Sequence, residues 1–131
     1  MTDLEPLDDF RARARSFVQA NLGPITGAIT DGLRNTRTDE EELREVARER
    51  EMQRMLFDAG LAGITIDPSY GGQGLTAAHQ AVLNEELAGR EYPARFQVPT
   101  FTPCMAVLLD FASEEIKQRH VLDMAADRGA Y

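Results

Sequence analysis

Residues 60–75 read Gly60-Leu61-Ala62-Gly63-Ile64-Thr65-Ile66-Asp67-Pro68-Ser69-Tyr70-Gly71-Gly72-Gln73-Gly74-Leu75. Gly71, Gly72 and Gly74 permit positive φ and close approach of the backbone. Pro68 and Tyr70 would stiffen and anchor the loop. The cluster reads as a tight turn between an extended segment and a helix, because glycines in such runs usually serve the backbone. The functional alternative is a loop that shapes packing beside a ligand. No dinucleotide fingerprint is present: Gly-x-Gly-x-x-Gly is absent and no βαβ unit surrounds the glycines. Just upstream, Gly63 to Asp67 is short and β-branched and predicts an extended segment.

The flanking sequence is helical. Upstream, Thr38 and Glu41 form a capping box, and Asp39 to Glu42 place negative charge at the positive end of a helix dipole. That helix is expected to run to about Ala59, with Gly60 as its C-cap. Its apolar positions fall in two sets, Leu43, Val46 and Ala47, then Met52, Met55, Leu56 and Ala59. An earlier helix is expected over Asp3 to Leu22, with Pro6 in its first turn and Leu7, Phe10, Ala14, Phe17 and Val18 at helical spacing. Arg11, Arg13 and Arg15 lie mostly off that stripe. Gly23-Pro24 stops it, and Ile25 to Arg37 reads as a loop with at most a helical turn around Ile29 to Leu33. Downstream, Thr76 caps a third helix to about Ala88, and Gly89 to Thr100 is a loop. Thr102-Pro103 starts a fourth helix to about Phe111, and Ser113 caps a fifth to about Ala126. The expectation is an all-α fold: a helical bundle of about five helices forming one domain over residues 1–131.

Composition narrows the function. Hydrophobic residues make up 43% and charged residues 27% of the 131, an ordinary globular balance. The net charge of −8 argues against nucleic acid or an anionic membrane as partner, since both need concentrated Lys and Arg. No apolar run approaches the roughly 20 residues of a membrane span. Met1 to Asp9 is acidic and lacks a basic-then-apolar signal, so a cytoplasmic location is expected. Lys117 is the sole lysine, which excludes a P-loop. Cys104 is the sole cysteine and has no His partner that would make it a nucleophile; it reads as a small buried hydrophobe. His79 and His120 are isolated and no metal motif exists. Glu85 and Glu86 are adjacent on a helix and point about 100° apart, so they read as a solvated or ion-paired surface rather than as an acid/base pair.

The stretch Gly60 to Leu75 resembles the acyl-CoA dehydrogenase family, whose N-terminal domain shows a helix end, a Gly-Leu, an apolar stretch, then Pro-x-x-Tyr/Phe-Gly-Gly-x-Gly. Asn84-Glu85-Glu86-Leu87-Ala88 resembles the family's x-Glu-Glu-Leu-Ala helix end. Ala112-Ser113-Glu114-Glu115-Ile116-Lys117-Gln118-Arg119 resembles its Gly-Thr-Glu-Glu-Gln-Lys-x-Arg helix start. Three matches in order cover about Leu56 to Met124. Ala112 and Ile116 depart from the family's glycine and glutamine, and Asp127 to Tyr131 lacks the Gly-Glu that often precedes the next domain.

The resemblance implies an oxidoreductase of lipid and fatty acid metabolism, an FAD-dependent flavoprotein that oxidises acyl-CoA at its α,β carbons. In the family a β-domain and a C-terminal helical domain follow, and the latter supplies the catalytic glutamate. These residues are therefore expected to hold no catalytic, cofactor-binding or metal residue and to be inactive alone. By position, Pro99, Thr100, Phe101, Pro103 and Met105 become candidates for lining the acyl-chain pocket. The two prolines would bend or widen it. Implied partners are the acyl-CoA substrate and an electron-transfer flavoprotein, within a homo- or hetero-oligomer. The alternatives are a non-catalytic helical subunit that pairs with a flavin-bearing partner, or a fragment of an acyl-CoA oxidase.

Overall fold

The computed structural model describes residues 3–25, 38–94 and 102–126. Among them five α-helices occur: α1 (Leu7–Asn21), α2 (Asp39–Asp58), α3 (Ala77–Leu87), α4 (Thr102–Phe111) and α5 (Glu114–Ala126), with a short 3₁₀ helix over Pro68–Tyr70. The all-α expectation holds. The turn expected around Ile29 to Leu33 lies outside the described residues.

Each helix start has a local cause. α1 begins later than Asp3 because Pro6 is its N-cap, with φ −58 and ψ 142, and a residue preceding proline is pushed away from helical ψ. α2 begins at the predicted box: the Glu41 N–H donates to Thr38 Oγ1 at 3.3 Å, and the Thr38 N–H donates to Glu41 Oε2 at 2.9 Å. Its end is a Schellman turn. The Gly60 N–H donates to the Phe57 carbonyl and the Leu61 N–H to the Leu56 carbonyl, with Gly60 at φ +70. At α3 the third residue of the box is His79 rather than Glu or Gln. Its Nδ1 accepts from the Thr76 N–H at 3.2 Å, while Nε2 donates to the Glu5 carbonyl at 2.7 Å. The tautomer protonated on Nε2 serves both contacts. At α5 the Ser113 hydroxyl accepts from the Ile116 N–H.

Two cores result. The first gathers Phe10, Ala14, Val18 and Leu22 of the first helix and its end, Met52 and Leu56 of α2, Leu61 and Ile64, and Val82, Leu83 and Leu87 of α3. Truncating a side chain as enclosed as Phe10 typically costs about 3–5 kcal/mol. The second core gathers Ile66, Met105, Val121, Met124 and Ala125. Phe57 packs against both. Gln53, only 1% exposed, donates from Nε2 to the Ala125 carbonyl at 2.7 Å and ties α2 to α5.

Two expectations fail. The set Leu43, Val46 and Ala47 does not enter either core, and Leu43 is 69% exposed; the buried residues of α2, Met52, Gln53 and Leu56, all lie in its second half. Gly63 to Asp67 is not an extended strand. With no neighbouring strand among the described residues to receive its backbone, it turns at Gly63 (φ +61), and the Ile66 N–H donates back to the Gly63 carbonyl. The β-branched residues are instead used one by one, Ile64 in the first core and Ile66 in the second.

The arginines off the α1 stripe join elements. Arg13 donates to the Ala59 carbonyl at 2.7 Å, at the end of α2, and to both Glu5 oxygens, and it lies over the Phe10 ring. Arg48 and Arg90 donate to the Asn21 and Leu22 carbonyls at the end of α1. Arg11 and Arg15 both bond Glu86, and Arg11 also bonds Glu85, so the acidic pair is an ion-paired surface as expected.

The bond from Arg15 holds the Glu86 carboxyl below its ordinary range, against the desolvation that would raise it, with Arg11 adding in the same direction. A carboxyl depressed in the fold contributes stability above the unfolded glutamate range, and that contribution is lost as pH falls through the depressed value. Glu86→Gln should therefore lower the urea midpoint near pH 7, and the gap from the parent should close as the pH falls below the ordinary glutamate range. A gap of equal size at neutral and at acid pH would show that the charge is not what joins α1 to α3.

Candidate functional site

A cavity of about 520 Å³ lies among α2, the Gly63–Ile66 turn, α3, α4 and α5. That size is within the range for small-molecule sites. Its apolar wall comes from Ile64 and Ile66 of the turn, Met105, Ala106 and Leu109 of α4, and Ala125 of α5. Its polar groups come from Gln53, Thr65, Gln80, Asn84, Tyr92 and Thr102.

The pieces are positioned by local rules. Met105 and Leu109 are one turn apart on α4 and share a face; Met105 is 8% exposed. Gln80 and Asn84 are likewise one turn apart on α3, and Gln80 Nε2 donates to Asn84 Oδ1 at 2.9 Å. Val82, Leu83 and Leu87 carry the α3 core face. Tyr92 follows the chain reversal after α3, where the Ile25 N–H donates to the Gly89 carbonyl and the Glu91 N–H to the Gly23 carbonyl.

Of the five sequence candidates, Met105 is in the cavity wall. Pro103 is exposed on α4 and is not among the lining residues. Pro99, Thr100 and Phe101 lie outside the described residues. Cys104 is exposed, contrary to the expected burial. It precedes Met105 on α4, and a step of one residue turns about 100° away from the packed face. Gln80, Asn84 and Tyr92 were missed. The i, i+4 amide pair was readable, but nothing in the sequence placed it beside residue 105. Among the described residues no cluster of metal-ligating side chains occurs, and no helix is long and apolar enough to cross a membrane.

The glycine turn, read from the sequence as a tight backbone turn, lies beside the cavity. Its N–H groups point inward: Gly71 to the Pro68 carbonyl, Gly72 to Asp67, Gln73 to Gly63, Gly74 to Ile66 and Leu75 to Ile64. All five are committed to the turn's own backbone, so they form no nest for a phosphate. A Cβ on Gly72 would run into the Ile66 carbonyl, and one on Gly71 into the Leu122 side chain. The glycines serve backbone shape.

Tyr70 ties the turn to α5. Its hydroxyl donates to Glu114 Oε2 at 2.6 Å, and Lys117 sits 5.8 Å from its ring centre while bonding the other Glu114 oxygen. The bond to Glu114 pushes the phenol up, and the same bond, together with Lys117, holds the Glu114 carboxyl down. The three sequence motifs are thus structural joints: turn to α5, and the end of α3 to α1.

The sequence matches the acyl-CoA dehydrogenase N-terminal domain over residues 5–128, and the chain belongs to that family. No curated protein and no solved structure matches it.

Gly72→Ala and Gly89→Ala separate close approach from simple backbone preference. Gly89 has φ +75 but open space around its Cβ position, so alanine there should cost about 1 kcal/mol. Gly72→Ala meets backbone that cannot yield and should cost at least about 2 kcal/mol. Urea denaturation followed by circular dichroism gives both values. Equal losses would remove the close approach as the reason for Gly72.

Proposed function

We propose that this chain is the N-terminal helical domain of a flavin-dependent acyl-CoA dehydrogenase, contributing one wall of the acyl-chain pocket and not the catalytic base. The reading starts from membership of the family and is carried by one observation: α4, with Met105, Ala106 and Leu109, faces a cavity completed by Ile64 and Ile66. An acyl tail needs such an apolar lining.

FAD is the proposed cofactor of the complete enzyme. The described residues do not by themselves fit it, because the glycine turn has no free N–H to offer a pyrophosphate. The cofactor is assigned to other parts of the enzyme, and no chemical step is assigned to the residues of this chain. An electron-transfer flavoprotein is the proposed electron acceptor, and a cytoplasmic, oligomeric enzyme the proposed setting. Val107, Phe111 and Ile116 are exposed apolar residues on α4 and α5, with Phe111 at 83%. Such a face supports a covering domain, on the same polypeptide or on a flavin-bearing subunit.

Met105→Trp in the complete enzyme should fill part of the cavity and leave flavin content unchanged. The kcat/KM for long acyl-CoA chains should fall by about tenfold or more, with little effect on the shortest. A uniform change across chain lengths would remove α4 from the acyl site. The 131-residue chain by itself should purify without a stoichiometric flavin spectrum.

A further inference from the structure

The cavity is not lined as a plain hydrocarbon chain requires. Met105, Ala106 and Leu109 make one apolar wall, but α3 contributes two amides and the segment after it a phenol. Gln80 Nε2 donates to Asn84 Oδ1. That bond leaves the Gln80 carbonyl oxygen as an acceptor and the Asn84 amide nitrogen as a donor, neither of them bonded to any described residue. The pairing also fixes the two groups against each other, which lowers the entropy of engaging a ligand.

Tyr92 is the more telling group. Its side chain lines this cavity and also the neighbouring open groove with Met52, Arg48 and Arg90. It is 37% exposed, and its hydroxyl has no hydrogen-bond partner among the described residues. Burial pushes its phenol up, and no bond opposes that effect. Tyr70 shows the contrast within this chain, since its hydroxyl is engaged by Glu114.

We infer that the cavity takes an oxygenated acyl group, one bearing a hydroxyl or carbonyl, with Tyr92 and the Gln80–Asn84 pair meeting the oxygen and α4 meeting the hydrocarbon. A site built to hydrogen-bond a substrate group discriminates strongly against the analogue that lacks it, because its own polar atoms are then left dry and unpaired. Asn84 and Tyr92 are exposed and Gln80 is half-buried, so water meets them in the free protein, and an unsubstituted alkyl chain filling the cavity would displace that water without replacing its hydrogen bonds. The inference rests on the acyl-site reading proposed above and adds the substrate class.

The same polar groups could instead meet the amides of the pantetheine arm, and the test separates the two. Tyr92→Phe removes one oxygen that makes no bond within the described fold, so stability should be retained, as a thermal melt will show. With the complete enzyme, binding of a hydroxydecanoyl-CoA, decanoyl-CoA and free CoA is measured by calorimetry for the parent and for Tyr92→Phe. The substitution should weaken the hydroxyacyl thioester by about fivefold to tenfold and leave the other two within about twofold. Asn84→Leu should shift preference the same way. Equal weakening of all three ligands would assign Tyr92 to the pantetheine arm and overturn the inference. No change for any of them would also overturn it, while binding of decanoyl-CoA would leave the acyl site standing. Failure of both thioesters to bind would bring down the acyl-site reading, and the inference with it.

Discussion

The segment from Gly63 to Leu75 must satisfy its own backbone while sending Ile64 and Ile66 into two different cores. It does so by folding its N–H groups back onto the carbonyls of Gly63, Ile64, Ile66, Asp67 and Pro68. The requirement is steric as much as electrostatic: Gly72 passes so close to the Ile66 carbonyl that no side chain fits between them. Everything else is placed relative to this turn. α2 enters it through a Schellman end, α3 leaves it through the Thr76–His79 box, and α5 is docked on its outer side by Tyr70 and Glu114. The cavity forms where the turn's inner side meets α3 and α4.

Features with a local cause were legible in the sequence. The start of α2 needed only Thr38 and Glu41, and the start of α5 only Ser113 and its neighbours. Features decided at a distance were not. Ile64-Thr65-Ile66 has strand composition, yet a strand requires a partner strand, and composition does not reveal whether one exists. Leu43 has helical spacing, but whether a spaced residue finds a core depends on what lies opposite it. Cys104 and Met105 differ in burial through the direction of one helical step. Among the described residues the cavity was legible at Met105, while Gln53, Gln80 and Tyr92 reach it from segments tens of residues apart.

The arginine bias gains a physical account. A guanidinium presents several donors in a fixed plane and can bond a carbonyl while pairing with a carboxylate. Arg13 does this at the end of α2, joining the Ala59 carbonyl and Glu5, and Arg48 does it at the end of α1, joining the Asn21 carbonyl and Glu91. Helix C-termini carry unpaired carbonyls and partial negative charge, so a cation supplied from another element both caps the helix and fixes the angle between the two. An ammonium is a point charge without the planar fork and suits these double contacts poorly.

Lys117, the sole lysine, has a different environment. Its side chain is 15% exposed, lies over Tyr70 and pairs with Glu114. The side-chain amine chemistry of this domain is therefore confined to one sheltered nitrogen. A reagent that acylates lysine therefore meets an amine already paired with Glu114 over the Tyr70 ring, and its acylation removes the positive charge from the joint between the glycine turn and α5.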